Sequence, residues 1–375
     1  MAGPSLPDRL NRIPVPTLLS VLGLGGFSIL VLYSAAGGDI SPWAINQGIR
    51  FAALLGMMLV LTQVSITLWL RSAYWFYGIC LVLLIAVEIV GQMGGGSQRW
   101  LNLGVINLQP SELMKIAIVL ALARYYHFLP RAQTGTLRAL ILPAILMGLP
   151  AALVMMQPDL GTALTIVMGG TTIVFLAGAP LWLFITGAVS AVVGIPLAVE
   201  FLLKEYQQKR VLIFLDPEAD PLGAGYHITQ SKIAIGSGGI GGKGFLSGTQ
   251  SHLQYLPEQQ TDFIFATMTE EWGLIGGFFV IGCYMVIIAR GIFTALTAQS
   301  IFARLAAFGL TMTLFLYVFI NLAMVMGFAP VVGIPLPLMS YGGSAMLTAL
   351  LLLGILISIH AEKDRTTLEW RGKAL

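Results

Sequence analysis

The chain has 375 residues, of which 57% are hydrophobic and 10% charged, and its mean hydropathy is +0.86. A soluble domain carries about 25% charged residues, so this composition, spread over many long apolar runs, excludes a soluble protein and predicts an all-α polytopic membrane protein. The formal charge of +3 says little about partners, because the distribution of charge along a membrane chain matters more than its sum.

Arg9 and Arg12 precede the first apolar run, and Ser34-Ala35-Ala36 faintly resembles a signal-peptidase site. The run 15–36 is too long for a signal segment and nine further hydrophobic segments follow, so it is read as a retained transmembrane helix. The others are 44–64, 73–90, 111–126, 137–156, 162–177, 181–203, 263–289, 305–327 and 342–360. Ten spans put both termini on one side. With the termini inside, Arg71, Arg124, Arg131, Arg138, Arg290 and Arg304 fall on the inner side with the basic tails. Arg50, Arg99 and Lys115 then lie near the outer loops. This bias predicts cytoplasmic termini and one large outward-facing loop, 205–262, between the seventh and eighth helices. Cys80 and Cys283 lie inside apolar runs and offer neither a disulfide framework nor a metal spacing.

The other unusual stretches also fall outside: GGGSQRWLNLGVINLQPSE, QPDLG and FAPVVGIPLPLMSYGGS. Pro330, Pro335 and Pro337 are incompatible with a regular helix, and a broken or re-entrant segment there must be buried in protein or line a cavity. Polar groups gathered on one face favour an outward-facing active site. A transporter instead needs them near the midplane, within reach of both sides.

In QPSELMK, Pro110 suits the first helical position and places Ser111 and Glu112 in the first turn, where the helix dipole favours an acid. Glu112 and Lys115 are three apart and share a helical face. They form either a structural ion pair or a site for an anionic substrate group. Arg99-Trp100 reads as an interfacial anchor, or Arg99 as a phosphate ligand. The glycine cluster from Gly236 to Gly244 is either a backbone phosphate cradle or a flexible hairpin or re-entrant piece that carries Lys243. The acidic run Asp216 to Asp220 is either a cation site or a solvated turn. Asp262, just ahead of Phe263-Ile264-Phe265, is either a helix N-cap or a reacting acid. The strongly apolar part of its span begins only at Trp272, so the segment bearing Asp262, Glu270 and Glu271 is expected to line an aqueous cavity. At 100° per residue Glu270 lies about 80° round from Asp262, and Glu271 about opposite.

GTQSHLQYLPEQQTDFIFATMTEEWG resembles the signature of the SEDS family (shape, elongation, division and sporulation proteins). The blocks Arg99-Trp100-Leu101, Gln109-Pro110-Ser111-Glu112, Gln157-Pro158-Asp159-Leu160-Gly161 and Pro337-Leu338-Met339-Ser340-Tyr341-Gly342-Gly343-Ser344 agree, in order, over nearly the whole chain. GTQSHLQYLPE is nearer the elongation (RodA-type) branch than the division branch. One departure is Gln259-Gln260, where the family usually has His before Thr-Asp, which removes a neighbouring imidazole. The resemblance implies a peptidoglycan glycosyltransferase of the bacterial cytoplasmic membrane that polymerises lipid II into a nascent β-1,4 glycan on the outer face, with inversion. It also implies a class B penicillin-binding protein as transpeptidase partner, other elongation-complex membrane proteins, and no nucleic acid. The family's essential acid maps onto Asp262, cast as general base. Arg210, Lys243, Arg99 and Lys115 are the candidates to meet the leaving pyrophosphate; Trp100, Glu112, Asp159 and Glu270 complete the expected substrate-binding set. No nucleotide or redox cofactor is needed, and Mg2+ at the pyrophosphate is left open. The alternatives are a lipid II flippase and a non-catalytic scaffold.

Overall fold

The structure is a computed structural model that describes residues 13–94, 97–102, 107–201, 208, 213, 224–253, 255, 256 and 258–373. In chain order the helices are α1 (Val15–Ala35), α2 (Trp43–Leu61), α3 (Ile66–Val90), α4 (Pro110–Phe128), α5 (Leu137–Met156), α6 (Leu160–Leu176) and α7 (Leu181–Phe201). They continue as α8 (Ala224–Ser237), α9 (Thr249–His252), α10 (Ile264–Thr297), α11 (Ile301–Val325) and α12 (Gly343–Lys373). Every predicted apolar segment coincides with one of α1–α7 or α10–α12. By length and composition, seven of these are long and apolar enough to cross a membrane: α1, α2, α3, α5, α10, α11 and the first part of α12. The others differ for visible reasons. Helix α4 contains Glu112, Lys115 and Arg124, while α6 has 17 residues.

Helix α4 is the axis of the bundle. It packs against α3, α6 and α11, and nearly every side chain from Ser111 to Ala123 is buried. A helix apolar all round is stable only when it is surrounded. Asp159 caps α6 by accepting from Thr162 N at 3.1 Å, and Ser300 caps α11 by accepting from Ala303 N at 3.0 Å.

Two stretches expected to be loops carry regular structure. Between α3 and α4 lies a three-stranded antiparallel sheet of β1 (Gln92–Gly94), β2 (Ser97–Asn102) and β3 (Asn107–Leu108), with Gln92 opposite Trp100 and Leu101 opposite Leu108. Within 205–262, helix α8 packs on α10 and α11. It buries Ile228, Ser231 and Ala234, a spacing that lines one helical face. Ser231 Oγ donates to Val325 O at 2.8 Å.

Candidate active site

Asp262 is half-buried in the turn that precedes α10, and that turn is held from three directions. Tyr341 N donates to Gln260 O at 2.8 Å, Ser340 Oγ to Thr261 O at 2.6 Å, and Asn321 Nδ2 to Asp262 O at 2.9 Å. Three successive carbonyls are thus fixed by three donors, and Gln259 Nε2 adds a fourth hold on Ala35 O at 3.1 Å. The N-cap of α10 is Phe263, with no side-chain cap. The capping reading of Asp262 is therefore corrected, because its residue lies one position too early. Gly333 has φ +71, and a Cβ there would stand 3.4 Å from Asp262 Oδ2. Glycine keeps that side of the carboxylate clear.

Two of these donors, Ser340 and Tyr341, come from the proline-rich segment, which is irregular and buried as its prolines require; Asn321 comes from α11. Ile334, Leu336, Leu338, Met339 and Ser340 are all buried. Side chains from distant helices serve its backbone: Ser28 Oγ donates to Met339 O (2.7 Å), Gln47 Nε2 to Ser340 O (3.1 Å), Asn321 Nδ2 to Ile334 O (2.7 Å), and Tyr284 Oη to Pro337 O. Buried backbone without a ladder needs such partners.

Beyond Asp262 the chain departs from expectation. Residues Ile264 to Glu271 are buried in protein and do not line an open aqueous cavity. Their carboxylates have protein partners instead of water. Glu270 Oε1 accepts from Lys243 Nζ (2.6 Å), Thr249 Oγ1 (3.0 Å) and Gln250 N (3.0 Å), and Glu271 Oε1 accepts from Ser34 Oγ of α1 (2.5 Å). Helix α10 then breaks at Gly273, with φ 61 and ψ −157. The glycine turn 238–244 fills the break. Lys243 N and Gly244 N donate to Glu270 O and Glu271 O (3.0 and 3.1 Å), while Leu274 N and Ile275 N donate to Gly239 O and Ile240 O (3.0 and 3.2 Å). A Cβ on Gly238 or Gly242 would overlap the carbonyls of Thr269 or Glu271. These N–H groups are committed to the broken helix, so the hairpin reading of the cluster describes it and the phosphate-cradle reading does not.

Glu112 and Lys115 meet as their spacing predicts, 2.7 Å apart and both buried, at the start of α4. Tyr317 of α11 completes the cluster: its hydroxyl donates to Glu112 and accepts from Lys115 Nζ at 2.7 Å. Arg99 Nη1 lies 3.6 Å from Asp159 Oδ2, and its other nitrogens donate to Gln157 O (3.1 Å) and Pro158 O (2.5 Å). Gln109 Nε2 reaches the same Asp159 oxygen at 3.3 Å, and Gln109 N donates to Ser344 Oγ at 3.0 Å. The RWL, QPSE, QPDLG and YGGS blocks are thereby joined at one end of the bundle. Trp100 is partly buried within β2. Arg210 and the acidic run Asp216 to Asp220 lie outside the described residues. Among the described residues no group of three His, Cys, Asp or Glu is arranged to hold a metal ion.

Sequence reasoning assigned no role to Tyr317, Asn321, Ser340 or Arg50. The signal for them was polarity inside or beside apolar spans, since such residues are costly in a membrane without a purpose. Arg50 of α2 stands with its Cζ 5.0 Å from the centre of the Tyr341 ring.

Many apolar helices about a buried axis, with polar motifs drawn together at one end, define a multi-pass membrane protein. The cell cycle protein family model of FtsW, RodA and SpoVE matches residues 16–365. The chain is 45% identical over 359 residues to the peptidoglycan glycosyltransferase MrdB of Escherichia coli K12, covering 95% of each chain. It superposes with a TM-score of 0.81 on a chain of a solved peptidoglycan synthase complex that coordinates polymerization and crosslinking, 33% identical, covering 94% of this chain and 98% of that one. The rod shape determining protein RodA of Thermus thermophilus gives a TM-score of 0.67 at 28% identity, covering 92% of this chain and 96% of that one. The chain belongs to the SEDS family.

Proposed function

We infer that this chain is a peptidoglycan glycosyltransferase that polymerises lipid II for cell elongation, working on the outer face of the bacterial cytoplasmic membrane. Family membership supports the activity, and the observation that carries the site is the fixing of three successive carbonyls at Gln260, Thr261 and Asp262. A general base must be held where it meets its proton. In this reading the acceptor 4-hydroxyl attacks C1 of the donor sugar, Asp262 takes the hydroxyl proton, and the electrons of the C1–O bond leave with undecaprenyl diphosphate. One displacement inverts α to β. Lys243 and Arg99, with side chains 27% and 23% exposed, are already paired with Glu270 and Asp159, and a phosphate would compete with those carboxylates for them. Glu112 and Lys115 are sealed with Tyr317 and serve as scaffold. A divalent ion would arrive on the substrate's own phosphates.

Ten spans, cytoplasmic termini and a class B penicillin-binding protein partner belong to the same reading. The solved complex to which this chain is similar supports the partner. The test is the purified protein, with and without that partner, incubated with lipid II and read out as glycan length. Wild type should make polymer. Asp262→Asn should insert and bind lipid II yet lose activity on the order of 10²–10⁴-fold. Asn keeps the size and much of the hydrogen-bonding capacity of Asp, so the variant's thermal midpoint should move little. Near-normal synthesis by Asp262→Asn would remove the base assignment.

A further inference from the structure

The expelled diphosphate gains a negative charge, and the candidate cations that lie among the described residues are engaged. Lys115 is closed in with Glu112 and Tyr317, Lys243 holds Glu270, and Arg99 holds Asp159 and two carbonyls. Arg50 differs. It is partly buried about two turns into α2, and among the described residues no carboxylate pairs with it and no oxygen accepts from it. Its one partner is the face of Tyr341, 5.0 Å from its Cζ. Its stem lies beside Gly343, where a Cβ would stand 3.9 Å from Cδ and Nε.

That stack matters because Tyr341 is also a holder of the Asp262 turn, through its N–H to Gln260 O at 2.8 Å. A guanidinium lying over an aromatic ring is fixed in plane while its edge donors stay open. The donor fork of Arg50 is therefore tied, through one residue, to the turn that carries the proposed base. Lys232, on α8 beside Gly327, also has no partner among the described residues, but it is exposed, and water weakens a charge there.

We propose that the Arg50 guanidinium binds the diphosphate of the polyprenyl-linked sugar substrate and stabilises it as the glycosidic C1–O bond breaks. This rests on the glycosyltransferase reading and adds to it a named phosphate ligand. The bond electrons pass to the diphosphate oxygen, and a bidentate guanidinium matches two of its oxygens. The competing source of the same chemistry is the phosphate of a bulk phospholipid headgroup.

The test uses the full chain carrying Asp262→Asn, in nanodiscs, so that ligand binds without turnover. Undecaprenyl diphosphate is titrated into neutral-lipid nanodiscs, and thermal midpoints are recorded with and without phosphatidylglycerol. Arg50→Gln should weaken the diphosphate Kd on the order of 10-fold, the scale of one charge-assisted hydrogen bond. Arg50→Lys, which keeps the charge over Tyr341 but loses the fork, should weaken it less while folding normally. It decides the matter if Arg50→Gln lowers the midpoint. An unchanged diphosphate Kd in Arg50→Lys and Arg50→Gln overturns the proposal, and loss only of the phosphatidylglycerol response makes Arg50 a headgroup anchor. Glycan synthesis by Asp262→Asn would remove the base assignment and leave this binding result standing, so the two failures are separable.

Discussion

Lys243 and Glu270 lie 2.6 Å apart, but their exposures are unequal: 27% for the lysine side chain and 0% for the carboxylate. Losing the lysine strands a buried acid on Thr249 Oγ1 and Gln250 N alone. Lys243→Ala should therefore destabilise the protein by about 1–3 kcal/mol, and adding Glu270→Gln should recover part of the loss, read as unfolding midpoints in detergent. A Lys243→Ala protein as stable as wild type would free this lysine for a phosphate. At this scale the sequence was half legible. The i,i+3 spacing shows that Glu112 and Lys115 meet, yet nothing local shows Tyr317, 202 positions further along, closing the pair. Asp262 stood out by position, whereas the hold on its carbonyls comes from residues that look like unremarkable members of other segments.

Among the elements, the helices were readable because hydrocarbon leaves the backbone few choices. The break in α10 was not. Gly273 sits between an acidic pair and an apolar run, and the turn that fills the gap lies some thirty residues earlier in sequence, a distance no periodicity spans. Its backbone, at φ 61 and ψ −157, is in a region essentially closed to other residues, and a Cβ would stand 2.5 Å from Ile240 O. Gly273→Ala should thus cost at least about 1–3 kcal/mol. Gly236→Ala provides the contrast: it lies in α8 with open space around it, and alanine there should stabilise slightly, by about 0.5–1 kcal/mol. Equal midpoints for the two variants would mean that the break does not constrain the fold. Helix α8 escaped the reading for another reason: its buried stripe is short and includes Ser231, so hydropathy alone placed it in a loop.

For the whole molecule, the charge bias predicts that the short 3-10 turn Arg131–Gln133 lies on the inner side and the glycine turn on the outer side. In a background with Cys80 and Cys283 replaced by Ala, Gly241→Cys should label with an impermeant thiol reagent in intact spheroplasts. Ala132→Cys should stay protected until the membrane is opened. Both positions are exposed, so the reverse pattern would invert the molecule. The order of the motifs along the chain could tell that they gather at one end. It could not tell that Arg99, Gln109, Asp159 and Ser344 bond to one another or to shared neighbours, because those contacts exist only once the bundle has closed.

The interruption at Gly273 also divides labour along α10. Residues 274–297, at 1.5 Å per residue, extend roughly 36 Å, enough to cross a hydrocarbon core of about 30 Å unaided. The part ahead of them, Ile264 to Trp272, is fastened to α1 through Ser34 and to the glycine turn. A membrane of different thickness acts on a spanning helix by changing its tilt, and a joint allows that tilt without turning the end next to Asp262. Activity should accordingly vary little across nanodiscs of shorter and longer acyl chains, and a steep dependence on chain length in the wild type would show that the two halves of α10 move as one rod.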